Sequence, residues 1–536
     1  MSGLFDPANP CLADRLGPAR KVVVLAGERA DITPLRRYLD ELCAGDRLAG
    51  YRVLPVDFPG PRPTLAQVEH LATAAVAAGL GRKDAFVVVG HDVAGQAGLA
   101  AAALLRRHTR AVQIVGDLTA AASAVRSVER LTLGQGMSVR RKEVSILIDA
   151  DRVLGGPDAL SPLAATAGTT SRRLISHVEF LDGVFSRPDA GLSSWLPVHG
   201  QVLAVVDAFS PGVLADVEAF LADQRARGVI SRVRTIPLTS SPSTKRRELA
   251  ERLLAEADRM SLGPADLVIG VGGGAVLDLV GTVALLRGGS TPYLRIPTTL
   301  VGMIDAGIGL KVGVDAAGRK NLLGGYHPPV ACLCDLAFLR TLPRQELRCG
   351  LSEAIKIAAV TDPALFSMLE THHGTLLDGP VTASTAQIVR QAIVAMQREL
   401  AANPFEEEVC RLPDFGHEFG HLLEVASGYR LRHGEAVAVG MALAGALAVE
   451  SGRLAEPEYQ RFLALLTGAG LPVIDPLCTP GRLWRWLRED ISAHKGGAPH
   501  LVIPTAIGSG GFIHTIEELT SSMLKRACRR LSGVTS

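Results

Sequence analysis

A strand that ends in glycine and leads into a helix occurs twice in this chain, and the two occurrences lie 180 positions apart. Ala85–Gly90 and Asp266–Gly270 are short, apolar and rich in β-branched residues, the composition of strands buried on both faces of a parallel sheet. Lys21–Ala26 has its counterpart at the same offset in Val202–Val206, and Gly3-Leu4-Phe5 in Gly183-Val184-Phe185. Gln113-Ile114-Val115 aligns with Arg295-Ile296-Pro297 after a slip of two residues. Between the first two strands, Thr64–Leu80 carries apolar residues at helical spacing, which makes a βαβ unit and hence α/β architecture. Agreement of spacing and strand character over about a hundred residues points to tandem duplication of a nucleotide-binding-type half domain.

The copies differ where chemistry would sit. The second reads Gly270-Val271-Gly272-Gly273-Gly274-Ala275-Val276-Leu277-Asp278, whereas the first reads Gly90-His91-Asp92-Val93-Ala94-Gly95-Gln96-Ala97-Gly98. Side chains at Asp92 and Val93 would block close backbone approach to a pyrophosphate, and Asp92 adds like-charge repulsion. The first copy is therefore expected to be a structural or interface domain without cofactor. Arg140–Thr170 mixes one β-type run, Val144–Ile148, with Gly, Pro, Ser and Thr, and reads as a connector. From Leu336 the pattern is mostly helical, ending in an amphipathic stretch at Thr515–Ser536. The expected organisation is a degenerate Rossmann-like repeat over 1–136, a connector over 137–180, a nucleotide-binding α/β domain over 181–335 and an α-helical domain over 336–536.

Composition narrows the class of partner. The 536 residues are 47% hydrophobic and 21% charged, with a net charge of +2. That balance describes a globular chain and gives no basis for a nucleic-acid or membrane surface. Apolar runs are broken by Arg, Asp and Gly before they reach a membrane-spanning length. Met1–Arg20 lacks the apolar core of a secretory signal, so the cytoplasm is the expected compartment. The eight cysteines are scattered; Cys332 and Cys334 fall on one face of an apolar strand rather than in a metal knuckle.

Three constellations carry chemistry. Gly272-Gly273-Gly274 follows a strand and opens a helix, so backbone N–H groups can face a pyrophosphate; glycine turns of this kind also serve packing alone. Asp207, at the end of Val202–Val206, is placed either to take ribose hydroxyls or simply to cap a turn. Pro297-Thr298-Thr299, Asp305 to Lys311 and Arg319-Lys320-Asn321 set cations among glycines and apolar residues, which favours anion-facing lysines over merely solubilising ones. The strongest signal is a candidate metal set. Glu353 and Lys356 are three apart on one helix, His417 and His421 four apart on another, and His433 follows shortly after. One carboxylate and two imidazoles form a catalytic divalent site with room for water or substrate.

With those residues in view, positions 183–515 resemble the sugar phosphate cyclases, the dehydroquinate synthase-like family. The resemblance rests on the Gly272–Asp278 loop, Pro297-Thr298-Thr299, Asp305 to Lys311, Lys320-Asn321, Gly350-Leu351-Ser352-Glu353 with Lys356, Phe415-Gly416-His417 with Gly420-His421, and His433-Gly434-Glu435. It implies a Rossmann-like NAD-binding domain followed by an α-helical metal-binding domain, with NAD and Zn2+ or Co2+ as cofactors. Glu353, His417 and His433 would be the metal ligands. Asp207, Lys245, the three glycines, Asp278, Thr298, Thr299, Asp305 and Lys320 would face NAD. Asp305, Lys311, Asn321, Lys356, Met396, Asp414 and Lys495 would face a small-molecule sugar phosphate. Lys311, Lys356, Asp414 and His421 would act in catalysis, with His421 either a residue behind the metal ligands or a proton-transfer residue. The family is typically dimeric, so either a homodimer or a chain in which the extra half domain replaces the partner is expected.

Departures from dehydroquinate synthase bear on the substrate. Its lysine about 21 residues before the first ligand histidine is Met396 here, its Leu-Asn before Phe-Gly-His is Pro413-Asp414, and its arginine is Cys410, with Arg411 one place off. A site that loses cations and gains Asp414 suits a neutral polyol phosphate better than a carboxylated one. Leu4-Phe5-Asp6-Pro7, Thr291-Pro292-Tyr293-Leu294-Arg295, Gly325-Tyr326-His327-Pro328-Pro329 and Asn403-Pro404-Phe405-Glu406 resemble the sedoheptulose 7-phosphate cyclases, the 2-epi-5-epi-valiolone synthases and relatives. Retention of His421, and Pro242-Ser243-Thr244-Lys245 in place of a cofactor-side Glu-x-x-Lys, depart from that pattern. Alternatives are a dehydroquinate synthase or 2-deoxy-scyllo-inosose synthase-like cyclase, an iron-type alcohol dehydrogenase, and a non-catalytic NAD-binding scaffold.

Overall fold

The computed structural model describes residues 5, 11–17, 19, 21–27, 31–56, 58, 62–81, 84–90, 93–105, 109–115, 130–132, 138–140, 144–148, 177–186, 191–209, 211–239, 244–378, 381–492, 495 and 497–533. The expected features at Gly3, Leu4, Asp6 and Pro7, at His91-Asp92, at Pro242-Ser243 and over 149–176 lie outside the described residues.

Two parallel sheets repeat one topology. In the first, β1 (Lys21–Gly27), β2 (Gly50–Val56), β3 (Ala85–Val89), β4 (Arg110–Val115) and β7 (Val144–Ile148) run in the order β2-β1-β3-β4-β7. In the second, β9 (Gln201–Asp207), β10 (Arg232–Leu238), β11 (Leu267–Gly272), β12 (Tyr293–Pro297) and β15 (Ala331–Asp335) run in the order β10-β9-β11-β12-β15. Strand for strand the order is the same, so the duplication read from strand spacing extends to the whole sheet. Each copy also inserts an antiparallel hairpin before its last strand: β5 (Arg130–Thr132) with β6 (Ser138–Arg140), and β13 (Lys311–Ala316) with β14 (Arg319–Tyr326).

One expected boundary moves. Val144–Ile148 was expected in the connector, but it pairs in parallel with β4 from Ala111↔Val144 to Val115↔Ile148 and closes the first sheet. At the other end, β8 (Val178–Leu181) pairs with β15 and adds a sixth strand to the second sheet. The β-type character of Val144–Ile148 is legible in the sequence; the Gly, Pro, Ser and Thr that surround it assign it to the connector, and only its pairing with β4 shows the sheet it closes.

The two copies share a core. Val23, Leu25, Phe86 and Val88 of the first sheet join one apolar cluster with Leu203, Val205, Val268, Leu279 and Val283 of the second copy. Their packing is reciprocal. The first copy's helix Val93–Leu104 lies against β14 of the second copy, and the second copy's helix Gly274–Leu286 lies against β6 of the first. Leu105 bridges to Leu323, and Glu69 pairs with Arg247 at 2.5 Å while accepting from the Ala317 N–H at 3.0 Å.

The remainder is helical, as its periodicity predicts, with helices at Arg344–Thr361, Pro363–Leu377, Ala383–Ala402, His417–Ala426, His433–Glu450, Glu456–Gly468 and Ser521–Ser532. One hairpin interrupts them, β16 (Leu501–Ala506) paired with β17 (Ser509–Ile513), which the sequence pattern did not predict. Among the described residues no helix is long and apolar enough to cross a membrane.

Candidate active site

Close helix packing brings the metal-type residues together. Gly416 precedes the helix His417–Ala426 with φ of 78°, a left-handed conformation that favours glycine. A Cβ at Gly416 would stand 2.4 Å from Met441 Cγ, and one at Gly434 would stand 2.4 Å from the Cys349 Cα. These contacts let the helices starting at His417 and His433 and the helix Arg344–Thr361 approach backbone to backbone. The first residue of each of the two later helices is thereby aimed at Glu353.

The donor atoms converge. His433 Nε2 is 3.2 Å and His417 Nε2 3.7 Å from Glu353 Oε1, and the two Nε2 atoms are 3.4 Å apart. His417 Nδ1 lies 3.1 Å from the Pro413 carbonyl, which can only accept. Nδ1 therefore carries the proton and Nε2 presents its lone pair to the centre. His433 Nδ1 faces Glu424 Oε2 at 3.4 Å in the same sense. Glu353 is fully buried, and neither of its oxygens accepts a well-directed hydrogen bond. Asp305 completes a group of four whose ligand atoms lie within 4.8 Å of one another. Tetrahedral ligand atoms around zinc stand about 3.3–3.6 Å apart, so Glu353, His417 and His433 fit a divalent ion of that class with a position left open on the side of Asp305.

The charges of this group depend closely on one another. Burial alone would raise the Glu353 carboxyl, but Lys356, His417 and His433 hold it well below the usual carboxylate range. Lys356 Nζ sits 2.5 Å from Glu353 Oε2, with both side chains fully buried. Burial and the Lys356 charge push His417 well down. Burial would lower His433 too, but Glu353 and Glu424 raise it to about 9. Burial would likewise raise Glu424, yet His433 and Lys320 bring it to about 2. His421 is exposed, its ring 4.8 Å from that of His417 and 5.9 Å from that of His433. That places it beside the centre as an alternative third imidazole or a proton carrier.

Above the metal group runs an ionic network. Glu406 takes Lys311 and Arg411, Asp414 takes Arg411 at 2.8 Å and Lys495 at 2.6 Å, and Lys495 also reaches Glu418 at 3.5 Å. Burial would raise Asp414, but Arg411 and Lys495 hold it well below its usual value. Burial raises Glu418 to about 7 despite Lys495.

A second cradle lies at the carboxyl ends of the parallel strands. A Cβ at Gly272 would meet Asp207 Cβ at 2.9 Å and Val276 Cβ at 3.0 Å, and one at Gly274 would meet Ala306 Cβ at 3.0 Å. Gly273 caps the helix without a side chain, and its carbonyl accepts from the Val276 and Leu277 N–H groups at 3.0 and 3.2 Å, so an approaching ligand meets the backbone at Gly274 and Ala275. Lys245 Nζ binds Asp278 Oδ2 at 2.5 Å and also Asn321 Oδ1. The donor set and the glycine turn fit a dinucleotide.

Two matches establish where the chain belongs. Residues 235–349 match the 3-dehydroquinate synthase N-terminal family model, and 350–490 the C-terminal one. A 2-epi-5-epi-valiolone synthase of Streptomyces glaucescens is 37% identical over 379 residues, 70% of this chain and 94% of that protein. The chain belongs to the sugar phosphate cyclases. The solved structure of ValA, the 2-epi-5-epi-valiolone synthase of Streptomyces hygroscopicus subsp. jinggangensis 5008, with NAD+ and Zn2+ bound, superposes with a TM-score of 0.63. It is 34% identical and covers 68% of this chain and 99% of that one. A 3-dehydroquinate synthase of Pseudarthrobacter chlorophenolicus is 39% identical over 211 residues, 39% of this chain and 57% of that protein. The fold alone is shared with a 2-deoxy-scyllo-inosose synthase complexed with carbaglucose-6-phosphate, NAD+ and Co2+, at a TM-score of 0.56 and 18% identity.

Within this cyclase frame the expected residues separate into three neighbourhoods. Glu353, Lys356, His417, His421, His433 and Asp305 gather at the candidate metal group. Lys311, Asp414 and Lys495 belong to the ionic network. Asp207, Gly272, Gly273, Gly274, Asp278 and Lys245 line the dinucleotide cradle, with Thr298 N bonded to Gly272 O at 3.0 Å and Thr299 Oγ1 accepting from Gly302 N at 3.0 Å. The consecutive pair Lys320-Asn321 divides: Lys320 reaches Glu424 at 2.5 Å on the metal side, while Asn321 joins Lys245 on the cofactor side. Met396 is 1% exposed within the main apolar core.

Sequence reasoning missed four positioning residues: Glu424, Glu418, Arg295 and Glu406 in its ion-pairing role. Glu424 lies two turns after His417 on one helix face, a spacing that could have flagged it. Arg295 is fully buried and donates to the carbonyls of Ala306, Gly307 and Gly309 at 3.2, 3.2 and 2.5 Å. It thereby shapes the π-helical turn Gly302–Ala306 that carries Asp305.

Proposed function

We propose that this chain cyclises sedoheptulose 7-phosphate to a C7 cyclitol, 2-epi-5-epi-valiolone or an epimer, with elimination of phosphate, using NAD and Zn2+ or Co2+. The observation that carries the reading is the state of Asp414. It holds both Arg411 and Lys495, so the cations that would grip a substrate carboxylate are neutralised from within, and a carboxylated ligand would meet a partly exposed anion. Similarity to the valiolone synthases over most of their length supports the same reading.

When bound, NAD supplies reversible hydride acceptance and the metal an electrophile for a carbinol oxygen. The chain's own residues do the rest. Glu353, His417 and His433 hold the ion, with Pro413 O and Glu424 fixing the imidazoles. Lys356, kept protonated by Glu353 and Asp305 against its burial, orients a hydroxyl beside the centre. Lys311, 37% exposed, is the network cation open to solvent and receives the phosphate in exchange for Glu406. His421, on the exposed side of the metal group, exchanges protons with water.

We also infer that the first copy occupies the place of a partner subunit. Reciprocal helix-to-hairpin packing is the pattern of an isologous dimer contact, here formed within one chain.

The deciding experiment supplies purified protein, NAD and metal with sedoheptulose 7-phosphate, glucose 6-phosphate or the dehydroquinate synthase substrate. Released phosphate and the carbocycle are followed by mass and NMR. Phosphate and a C7 ring from sedoheptulose 7-phosphate alone is the expected result. Turnover only with another sugar moves the substrate, and no phosphate from any of the three with metal bound favours a non-catalytic scaffold or a different substrate.

A further inference from the structure

A second group of metal-type donors stands apart from Glu353, His417 and His433. Cys410 Sγ lies 3.5 Å from His500 Nδ1 and 3.9 Å from His514 Nδ1, and the two Nδ1 atoms are 3.3 Å apart. With Zn–S of about 2.3 Å and Zn–N of about 2.0–2.1 Å, a tetrahedral zinc places sulfur and nitrogen about 3.5 Å apart and two nitrogens about 3.4 Å apart. The three observed edges describe one face of such a tetrahedron.

The backbone explains why the three meet. Leu501↔Ile513 is the last pair of the β16–β17 hairpin, so His500 and His514 face each other across its open end. His500 has φ of 40°, a left-handed conformation uncommon for a non-glycine residue, and such strain persists where the surroundings hold it. Cys410 comes from a different segment, one residue before Arg411 and four before Asp414.

We propose that Cys410, His500 and His514 bind a zinc-class divalent cation, with the fourth position taken by water. The ion ties the segment carrying Glu406 and Arg411 to the hairpin, and so fixes one wall of the ionic network independently of the catalytic ion. Sulfur in the ligand set makes the site spectroscopically separable, because the Glu353 centre offers only oxygen and nitrogen.

The test uses the full chain loaded with cobalt(II). The expected result is one equivalent of metal beyond the catalytic ion, together with a near-ultraviolet thiolate-to-cobalt charge-transfer band. Cys410→Ser and, separately, the exposed His514→Ala each remove that equivalent and the band while the catalytic equivalent remains. A single equivalent per chain without the band overturns the proposal. So does a band that persists in Cys410→Ser, or uptake by His514→Ala at the same free cobalt concentration as the parent chain.

Discussion

Glu424 holds two partners with one carboxylate: His433 Nδ1 at 3.4 Å and Lys320 Nζ at 2.5 Å. It therefore orients the His433 imidazole from behind and links the β14 hairpin to the helix that carries His417. Outer partners of ligating histidines are worth roughly 10–100-fold in metal affinity. Glu424→Gln is expected to weaken zinc binding by about that factor, measured by competition with a chromogenic chelator. Unchanged affinity would sink the assignment.

Lys356 and Glu353 are an ion pair with no exposed side-chain surface. Breaking a buried pair from one side costs about 3–5 kcal/mol because the remaining charge is uncompensated. Lys356→Met is expected to lower the melting temperature of metal-free protein. Added zinc should restore more stability than it adds to the parent chain, since the ion supplies the missing positive charge. Calorimetry with and without zinc reads both terms, and equal zinc stabilisation in the two proteins contradicts the account.

If the first copy replaces a partner subunit, the chain needs no second one. Light scattering after size exclusion is expected to give a mass near 56.4 kDa. Glu69→Arg, which sets two cations against each other at the Arg247 contact, is expected to loosen the copies and lower the melting temperature. A dimer mass would refute the pseudo-dimer reading.

The sequence disclosed the parts of this molecule that repeat locally. Strand spacing exposed both sheets, and the motif positions around Glu353, His417 and His433 led to a cluster the folded chain assembles. What it concealed depends on residues far apart in the chain. Glu418 meets the Val502 N–H, and Lys320 meets Glu424, across 84 and 104 positions. No local periodicity marks such pairings. Cys410 was legible only as a missing arginine, because its partners His500 and His514 are brought to it by a hairpin that the helical pattern of the region hid.

Acid stability offers a test away from the site. Glu450 binds Arg526 and Arg530 and ties the last helix, Ser521–Ser532, to the buried helix His433–Glu450. Burial would raise its carboxyl, but the two guanidinium groups lower it. A carboxylate with a depressed folded value contributes stability that is complete above its unfolded value, about 4.3. That contribution is lost as pH falls through the lower folded value. Glu450→Gln is expected to melt earlier than the parent chain at pH 7, by roughly 2 °C for a contribution of about 1 kcal/mol. The gap should close on acidification below the ordinary carboxylate range, because the parent chain then loses the same ion pairs. A gap that stays constant from pH 7 downward would mean that the substitution acts through packing, not through the charge of Glu450.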